Sequence, residues 1–167
     1  RKGLLLNQDY TLQGYHAENN MLVQAREWYR SLTCSDYVNS AKSIQKNISS
    51  VTLPATDAGN PSLTDEVIEA LLVNPAISAR DSGILQSVQK IRYFDKRIST
   101  YYQSYLNLQD KDNVIHPYMW QAGTRTGRFS YSDPNLQNIP KEEESKEPFL
   151  IRGCFSPRTG YDFYSID

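Results

Sequence analysis

The sequence predicts an α+β fold in which a mainly α-helical part is followed by a shorter, incomplete β-containing segment. Three observations carry this. Apolar residues recur at three- and four-residue steps through the N-terminal part, as on one face of a helix. A seam with a seven-residue spacing runs from Ile77 to Tyr105. Beyond a polar turn at 108–113, the pattern changes to short stretches compatible with strands.

The elements follow in order. Met21, Leu22, Ala25, Trp28, Tyr29 and Leu32 form one helical face. A shorter helix is expected over 40–48, with Ala41, Ile44 and Ile48 in register and Asn39-Ser40 supplying the cap. Residues 49–62 hold Pro54, Gly59 and Pro61 among Ser, Thr, Asp and Asn, which makes them a loop. Thr64 is a good N-cap, and Asp65 and Glu66 follow where the helix dipole favours anions. Val67, Ile68, Leu71 and Leu72 are the buried face of that helix, and Asn74-Pro75 ends it.

A long helix is then expected over 76–106. Ile77, Ile84, Ile91, Ile98 and Tyr105 are seven apart, with Val88 and Tyr102 at intermediate positions. About 30 residues at 1.5 Å each give roughly 45 Å. Gly83 weakens the helix locally near its start and leaves room for a break there. Residues 108–113 form a polar turn and the domain boundary, separating 1–112 from 113–167. Strands are expected over 114–122 and 161–167, as part of a sheet whose other strands lie outside the chain.

Composition bounds the function. The 167 residues carry a net charge of -1, with 39% hydrophobic and 11% aromatic residues. That suits a folded chain and gives no global nucleic-acid signature. The local distribution is more telling. Over 80–128, Arg80, Lys90, Arg92, Lys96, Arg97, Lys111, Arg125 and Arg128 outnumber Asp81, Asp95, Asp110 and Asp112. A basic excess suits phosphate contact, and equally suits a solvated helix face. Cys34 and Cys154 lack C-x-x-C spacing and read as free thiols of a reducing compartment. No apolar run approaches the roughly 20 residues that span a bilayer. Leu4-Leu5-Leu6 is too short for a signal peptide. The expected location is therefore cytoplasmic. The chain begins at Arg1 without Met, as a fragment or processed product does.

The most specific stretch is Thr126-Gly127-Arg128-Phe129-Ser130-Tyr131-Ser132-Asp133-Pro134-Asn135-Leu136-Gln137-Asn138-Ile139-Pro140. Its pattern, T-G-R-x-S-x-x-x-P-N-L-Q-N-I-P, resembles the opening of the palm in family A DNA polymerases, the bacterial DNA polymerase I group and its phage relatives. The run from Ile151-Arg152-Gly153-Cys154-Phe155-Ser156-Pro157 through Gly160-Tyr161 to Ser165-Ile166-Asp167 is similar to the one that leads to the metal-binding aspartate of that palm. Looser matches extend the resemblance over nearly the whole chain. Gly14 precedes the first amphipathic helix, residues 62–72 resemble S-T-D-x-x-V-L, and Lys96-Arg97-Ile98-Ser99-Thr100-Tyr101 resembles K-L-x-S-T-Y.

The resemblance implies a helical thumb of long antiparallel helices over 1–112 and the start of a palm over 113–167. It implies that Asp167 is a catalytic carboxylate and Mg²⁺ ligand. Two Mg²⁺ ions would stabilise the attacking and leaving oxygens of nucleotidyl transfer, and Mg²⁺ favours such oxygen ligands. Arg125, Arg128, Asn135, Gln137 and Asn138 would meet DNA. Their donors suit the purine N3 and pyrimidine O2 acceptors that every base pair shows in the minor groove. Asn135 and Asn138 equally suit caps of the turns around Pro134 and Pro140. Lys96, Arg97, Ser99 and Thr100 would contact duplex phosphates from the thumb, or form a solvated face. His116 would touch a phosphate or act structurally. Most tyrosines fit packing better than base stacking.

The implied partners are primer-template DNA, deoxynucleotide triphosphates, and a second polypeptide or further segment carrying the fingers and the rest of the palm. The family's second aspartate and its nucleotide-gripping helix have no match here, so these residues alone are expected not to polymerise. Phe129 and Tyr131 replace the Leu and Ser usual in bacterial members. The acidic stretch 141–150 replaces a basic one. Both departures lean toward a phage-type or otherwise divergent member. The other function class is a non-catalytic DNA-binding clamp that keeps the thumb; a source for the missing carboxylate separates the two.

Overall fold

A computed structural model describes residues 3–121, 123, 125–140 and 148–163. The chain divides into two compact units. One combines Arg1–Glu18 with Lys96–Asp167, and the other is Asn19–Asp95. Compactness therefore does not divide the chain at 112/113. The physical reason is that the N-terminal residues return to pair with strands far along the sequence.

The unit Asn19–Asp95 is helical. Its elements are most of α1 (Gln8–Thr33), α2 (Ala41–Gln45), α3 (Asp65–Leu72) and most of α4 (Ala79–Arg97). Leu22, Ala25 and Tyr29 of α1 are buried, as are Ile84, Leu85, Val88, Ile91 and Phe94 of α4. The two helices are antiparallel. Arg26 bonds Asp95 at 3.3 Å, the Lys90 ammonium lies 5.4 Å from the Trp28 ring centre, and Leu32 meets Gly83. Met21, expected on the buried face, is exposed. Leu22 takes the inward position beside it.

Gly83 does not break α4. A Cβ there would come within 3.0 Å of Leu32 Cδ1, so the glycine lets the helices approach closely. Thr64 caps α3 as expected, with its hydroxyl accepting from the Val67 N–H at 3.4 Å. Ser40 stands at the N-cap of α2, but its side chain makes no cap bond. The loop between α2 and α3 is fastened by Asp81, whose side chain is fully buried. Its carboxylate accepts from Ser49 N (2.9 Å), Ser50 N (2.7 Å) and Ser50 Oγ (2.7 Å), with Arg80 at 3.4 Å. Burial works against this charge. The Ser50, Ser49 and Arg80 contacts outweigh it and hold the Asp81 carboxyl below the usual carboxylate range.

The other unit carries a three-stranded antiparallel sheet in the order β2-β1-β5. Its strands are β1 (Leu4–Leu6), β2 (Val114–Ile115) and β5 (Phe155–Ser156). Leu4 pairs with Ile115 and Leu6 with Phe155. A second ribbon pairs β3 (Tyr118–Trp120) with β4 (Ser130–Ser132). The single strand expected over 114–122 is thus split at His116-Pro117 between two sheets, because Pro117 cannot donate to a ladder. Tyr161 to Phe163 form no strand; residues 164–167 lie outside the described ones.

The long helix is also modified. α4 passes into a π-helical segment (Ile98–Gln103) and then α5 (Ser104–Leu108). The extra residue in the π turn lets Tyr101 and its neighbour Tyr102 both point inward. They join Leu6, Tyr105, Ile115, Ile151 and Cys154 in one core. Gly14 lies inside α1 rather than ahead of it. A Cβ on Gly14 would sit 2.8 Å from the Tyr102 ring. Cys34 and Cys154 are free, the first exposed and the second buried. Burial pushes the Cys154 thiol up to about 11, against a hydrogen bond with Thr11.

These contacts set two outcomes. Gly14→Ala should destabilise the chain by ~1–3 kcal/mol, because a rigid ring blocks the new methyl. Gly83→Ala should be neutral or stabilising, since only the end of Leu32 must move and Ala gains up to ~1 kcal/mol of helix propensity. Urea unfolding midpoints of the two variants test the contrast; equal destabilisation would refute it. Asp81→Ala should cost ~1–3 kcal/mol at pH 7 by orphaning the Ser49 and Ser50 donors. The folded carboxyl titrates below its unfolded value. Its contribution is therefore present above about pH 4 and fades as pH falls through the lowered value, so the deficit should shrink at pH 3. An undiminished deficit there would contradict the charge argument.

Candidate nucleic-acid interface

The T-G-R-x-S-x-x-x-P-N-L-Q-N-I-P stretch, with the residues just before it, folds into a ribbon and a turn. β3 and β4 pair through Tyr118 with Ser132, Met119 with Tyr131, and Trp120 with Ser130. Between the strands, Arg125 and Arg128 are exposed, and Gly127 takes a positive φ of 72°. A Cβ on Gly123 would meet the Ser130 hydroxyl and lie 3.2 Å from Trp120 Cβ, so glycine leaves room for the close pairing there.

After β4 the chain turns sharply. Asp133 has a φ of 52°, the Asp133-Pro134 bond is cis, and Pro134 is buried. A short 3₁₀ turn follows over Leu136–Asn138. The Asn135 side chain caps it, accepting from the Gln137 N–H at 3.1 Å. Gln137 Nε2 donates back to the Phe129 carbonyl at 2.8 Å. The turn is thereby tied to the ribbon directly after Arg128. From the other side, the Tyr101 hydroxyl donates to the Asn138 carbonyl at 2.7 Å. Asn135, Gln137 and Asn138 are all exposed. The structure thus brings Arg128, Gln137 and Asn138 into one connected surface, and gives Asn135 the capping role weighed from the sequence.

The residues at 96–100 separate. Lys96, Ser99 and Thr100 are exposed on α4 and the π segment. Arg97, expected at a phosphate, is buried instead of standing on the exposed face. It is 4% exposed and makes a bidentate pair with Glu18, which is 2% exposed, with Nε to Oε2 at 2.7 Å and Nη2 to Oε1 at 2.5 Å. Its Nη2 also donates to the Phe149 carbonyl at 2.9 Å. The K-L-x-S-T-Y pattern holds Leu at this position, a signal that the site faces inward. Its guanidinium is paired inside the protein.

His116 is half-buried and has its own partner. Its Nε2 lies 3.0 Å from Asp110 Oδ2. Asp110 also accepts from the Val114 and Asp112 N–H groups at 2.9 Å each. These contacts, with Val114 first and His116 second, hold the Asp110 carboxyl below its usual range. The contact ties the histidine to the turn that leads into β2.

Some exposed residues were missed from the sequence. Tyr118, Met119, Trp120 and Phe129 are each about half exposed. The Tyr118 and Trp120 rings lie 5.8 Å apart. Most tyrosines fit packing from the sequence, but β3 exposes Tyr118 together with Met119 and Trp120. A cavity of about 520 Å³ is lined by Gly3, Leu4, Pro117, Tyr131 and Leu136, among others. Asp167 lies outside the described residues. Among the described residues, no group of three or more His, Cys, Asp or Glu is gathered as a metal site. No helix among them is long and apolar enough to cross a membrane.

The model of DNA polymerase family A matches residues 13–167. The chain belongs to that family. It is 38% identical over 89 residues to DNA polymerase I of Treponema pallidum (strain Nichols), covering 53% of this chain and 9% of that protein. It is 44% identical over 68 residues to DNA polymerase I of Helicobacter pylori (strain ATCC 700392 / 26695), covering 41% of this chain and 7% of that protein. DNA polymerase I of Pseudomonas aeruginosa is 32% identical over 116 residues, covering 69% and 12%. The chain thus spans about a tenth of the curated relatives it matches. Among solved structures, the POL domain of Pol1 from M. smegmatis, in complex with DNA primer-template and dNTP, superposes with a TM-score of 0.72. The match covers 85% of this chain and 25% of that one at 22% identity, which speaks to the fold.

Asn135→Ala removes the acceptor of the Gln137 N–H. It should loosen the 3₁₀ turn by ~1 kcal/mol, as loss of a cap does. Amide hydrogen exchange at Gln137 should speed up while α3 amides do not change. Unchanged protection at Gln137 would show that Asn135 is not the cap.

Proposed function

We propose that this chain is the thumb and opening palm region of a template-directed DNA polymerase, with the functional boundary at 112/113. It grips primer-template duplex with Arg125, Arg128, Gln137 and Asn138 toward the minor groove and Lys96, Ser99 and Thr100 toward phosphates. The observation that supports this best is the exposed ribbon-and-turn surface built from T-G-R-x-S-x-x-x-P-N-L-Q-N-I-P in a member of family A. Asn and Gln amides and an Arg fork can bond acceptors common to every base pair. Such contacts sense pair geometry without reading sequence, which copying any template requires.

Asp167 is proposed as one carboxylate ligand of Mg²⁺. The metal would supply charge stabilisation at the attacking and leaving oxygens. One carboxylate does not make a two-metal site, so the remaining ligands and the grip on deoxynucleotide triphosphates come from a further segment or a second polypeptide. The roles of this chain's own residues are to bind and orient the duplex. A cytoplasmic location belongs to the same proposal.

Primer extension tests it. The 167 residues alone should not extend a primer. Mixed with a polypeptide that starts at the residue after Asp167 and carries the fingers and rest of the palm, they should. Asp167→Ala should abolish that extension. Extension by the chain alone, or full activity of Asp167→Ala, would overturn the assignment; duplex binding without any extension would favour the non-catalytic clamp. Two further variants separate the contact types. Lys96→Ala should lower the salt slope of duplex binding by about 1. Arg128→Ala should impair extension most from mismatched ends, and equal extension from matched and mismatched ends at the wild-type rate would remove its role.

A further inference from the structure

The unit that carries the ribbon and turn holds a buried ion pair that the proposed chemistry does not use. Glu18 and Arg97 are almost fully buried. The guanidinium grips both carboxylate oxygens, and the Tyr102 hydroxyl donates to Glu18 Oε1 at 2.8 Å. Burying two charges is costly, and well-packed apolar side chains often serve stability equally well. What an apolar pair lacks is directed donors. Arg97 spends one on the Phe149 carbonyl, 52 residues away, at 2.9 Å.

Neighbouring tyrosines extend the same fastening. The Tyr10 hydroxyl accepts from the Leu150 N–H at 2.8 Å, and its ring meets Phe149 edge-on with centroids 5.4 Å apart. Gly153 lets that ring come close: a Cβ there would lie 2.7 Å from Tyr10 Cζ. Tyr101 holds the Asn138 carbonyl. Because the π turn directs Tyr101 and Tyr102 inward together, one reaches the Asn138 turn while the other reaches Glu18. Arg152 Nε closes the circuit on the Pro140 carbonyl at 3.2 Å.

We infer that the buried Glu18–Arg97 pair is a positioning device for the duplex interface, setting where the 149–152 segment and the Asn135–Asn138 turn sit on the helical base. The inference rests on the interface reading above. Arg97 and Glu18 touch no DNA in it; they act through Phe149, Tyr102 and Tyr101.

The test uses the double variant E18L/R97L, which replaces the pair with apolar volume. It should fold cooperatively, as read by circular dichroism and urea unfolding. Its Leu150 and Gln137 amides should exchange faster than wild type, and duplex affinity should fall about tenfold, within the range that mutations remote from a ligand produce. R97K keeps the charge but not the fork, and should recover only part of the affinity. A folded double variant with wild-type exchange at those amides, or with wild-type affinity, would overturn the inference. Should E18L/R97L not fold, Y101F decides. Losing one hydroxyl, it should weaken binding several-fold at unchanged global stability, and wild-type binding by it would overturn the inference. If the wild-type chain binds no duplex, the interface reading fails, while the exchange arm still decides whether the pair positions the turn.

Discussion

A carboxylate and a guanidinium withdrawn from water organise the unit that carries the candidate interface. Glu18 belongs to α1 and Arg97 to the last turn of α4, so their pairing fixes the register of two helices at their shared base. Unpaired, either charge would be far too costly to bury. The other close approaches there are made to fit around it. Gly14 leaves room for the Tyr102 ring, and Tyr102 adds its hydroxyl to Glu18. Burial first, and then the Glu18 carboxylate, push the Tyr102 hydroxyl up, which keeps it a donor at any ordinary pH.

The small sheet depends on the same base. β1, β2 and β5 come from three distant stretches of sequence, and each is only two or three residues long. Such strands have little stability of their own. They persist because Leu6 and Ile115 pack on Tyr101, Tyr102 and Tyr105, together with Ile151 and Cys154. The ribbon, by contrast, turns apolar residues to solvent. Its turn is carried back to the base through the Asn138 carbonyl and the Pro140 carbonyl. Position therefore passes from a dry core to a wet surface through a few directed hydrogen bonds.

Much of this was legible in the sequence, and the failures have physical causes. The seven-residue seam was legible because Ile84, Ile91, Ile98 and Tyr105 are all buried, at a spacing that keeps them on one side of the helical stretch. The Thr64 cap was legible because capping is local. β1 was not: three consecutive leucines show no alternation, and the strand is central only because of partners more than a hundred residues away. The π segment leaves no period to detect. The burial of Arg97 was not legible, because a charged residue on a helix is ordinarily exposed and its acid partner lies 79 residues earlier. Gly14 and Gly83 looked like a boundary and a weak point, whereas Gly14 leaves the space that the Tyr102 ring fills and Gly83 lies within an unbroken α4 beside the movable end of Leu32. The ribbon-and-turn residues were found by their pattern, and the structure adds what the pattern cannot state, namely that Asn135 is a cap and Gln137 is tethered to Phe129.

The most direct test of the account is amide hydrogen exchange of the chain with and without a primer-template duplex. The account has slower exchange on adding duplex across 125–138 and at 96–100, with α3 unaffected. Unchanged exchange in both stretches under saturating duplex, or protection confined to α2 and α3, would contradict it.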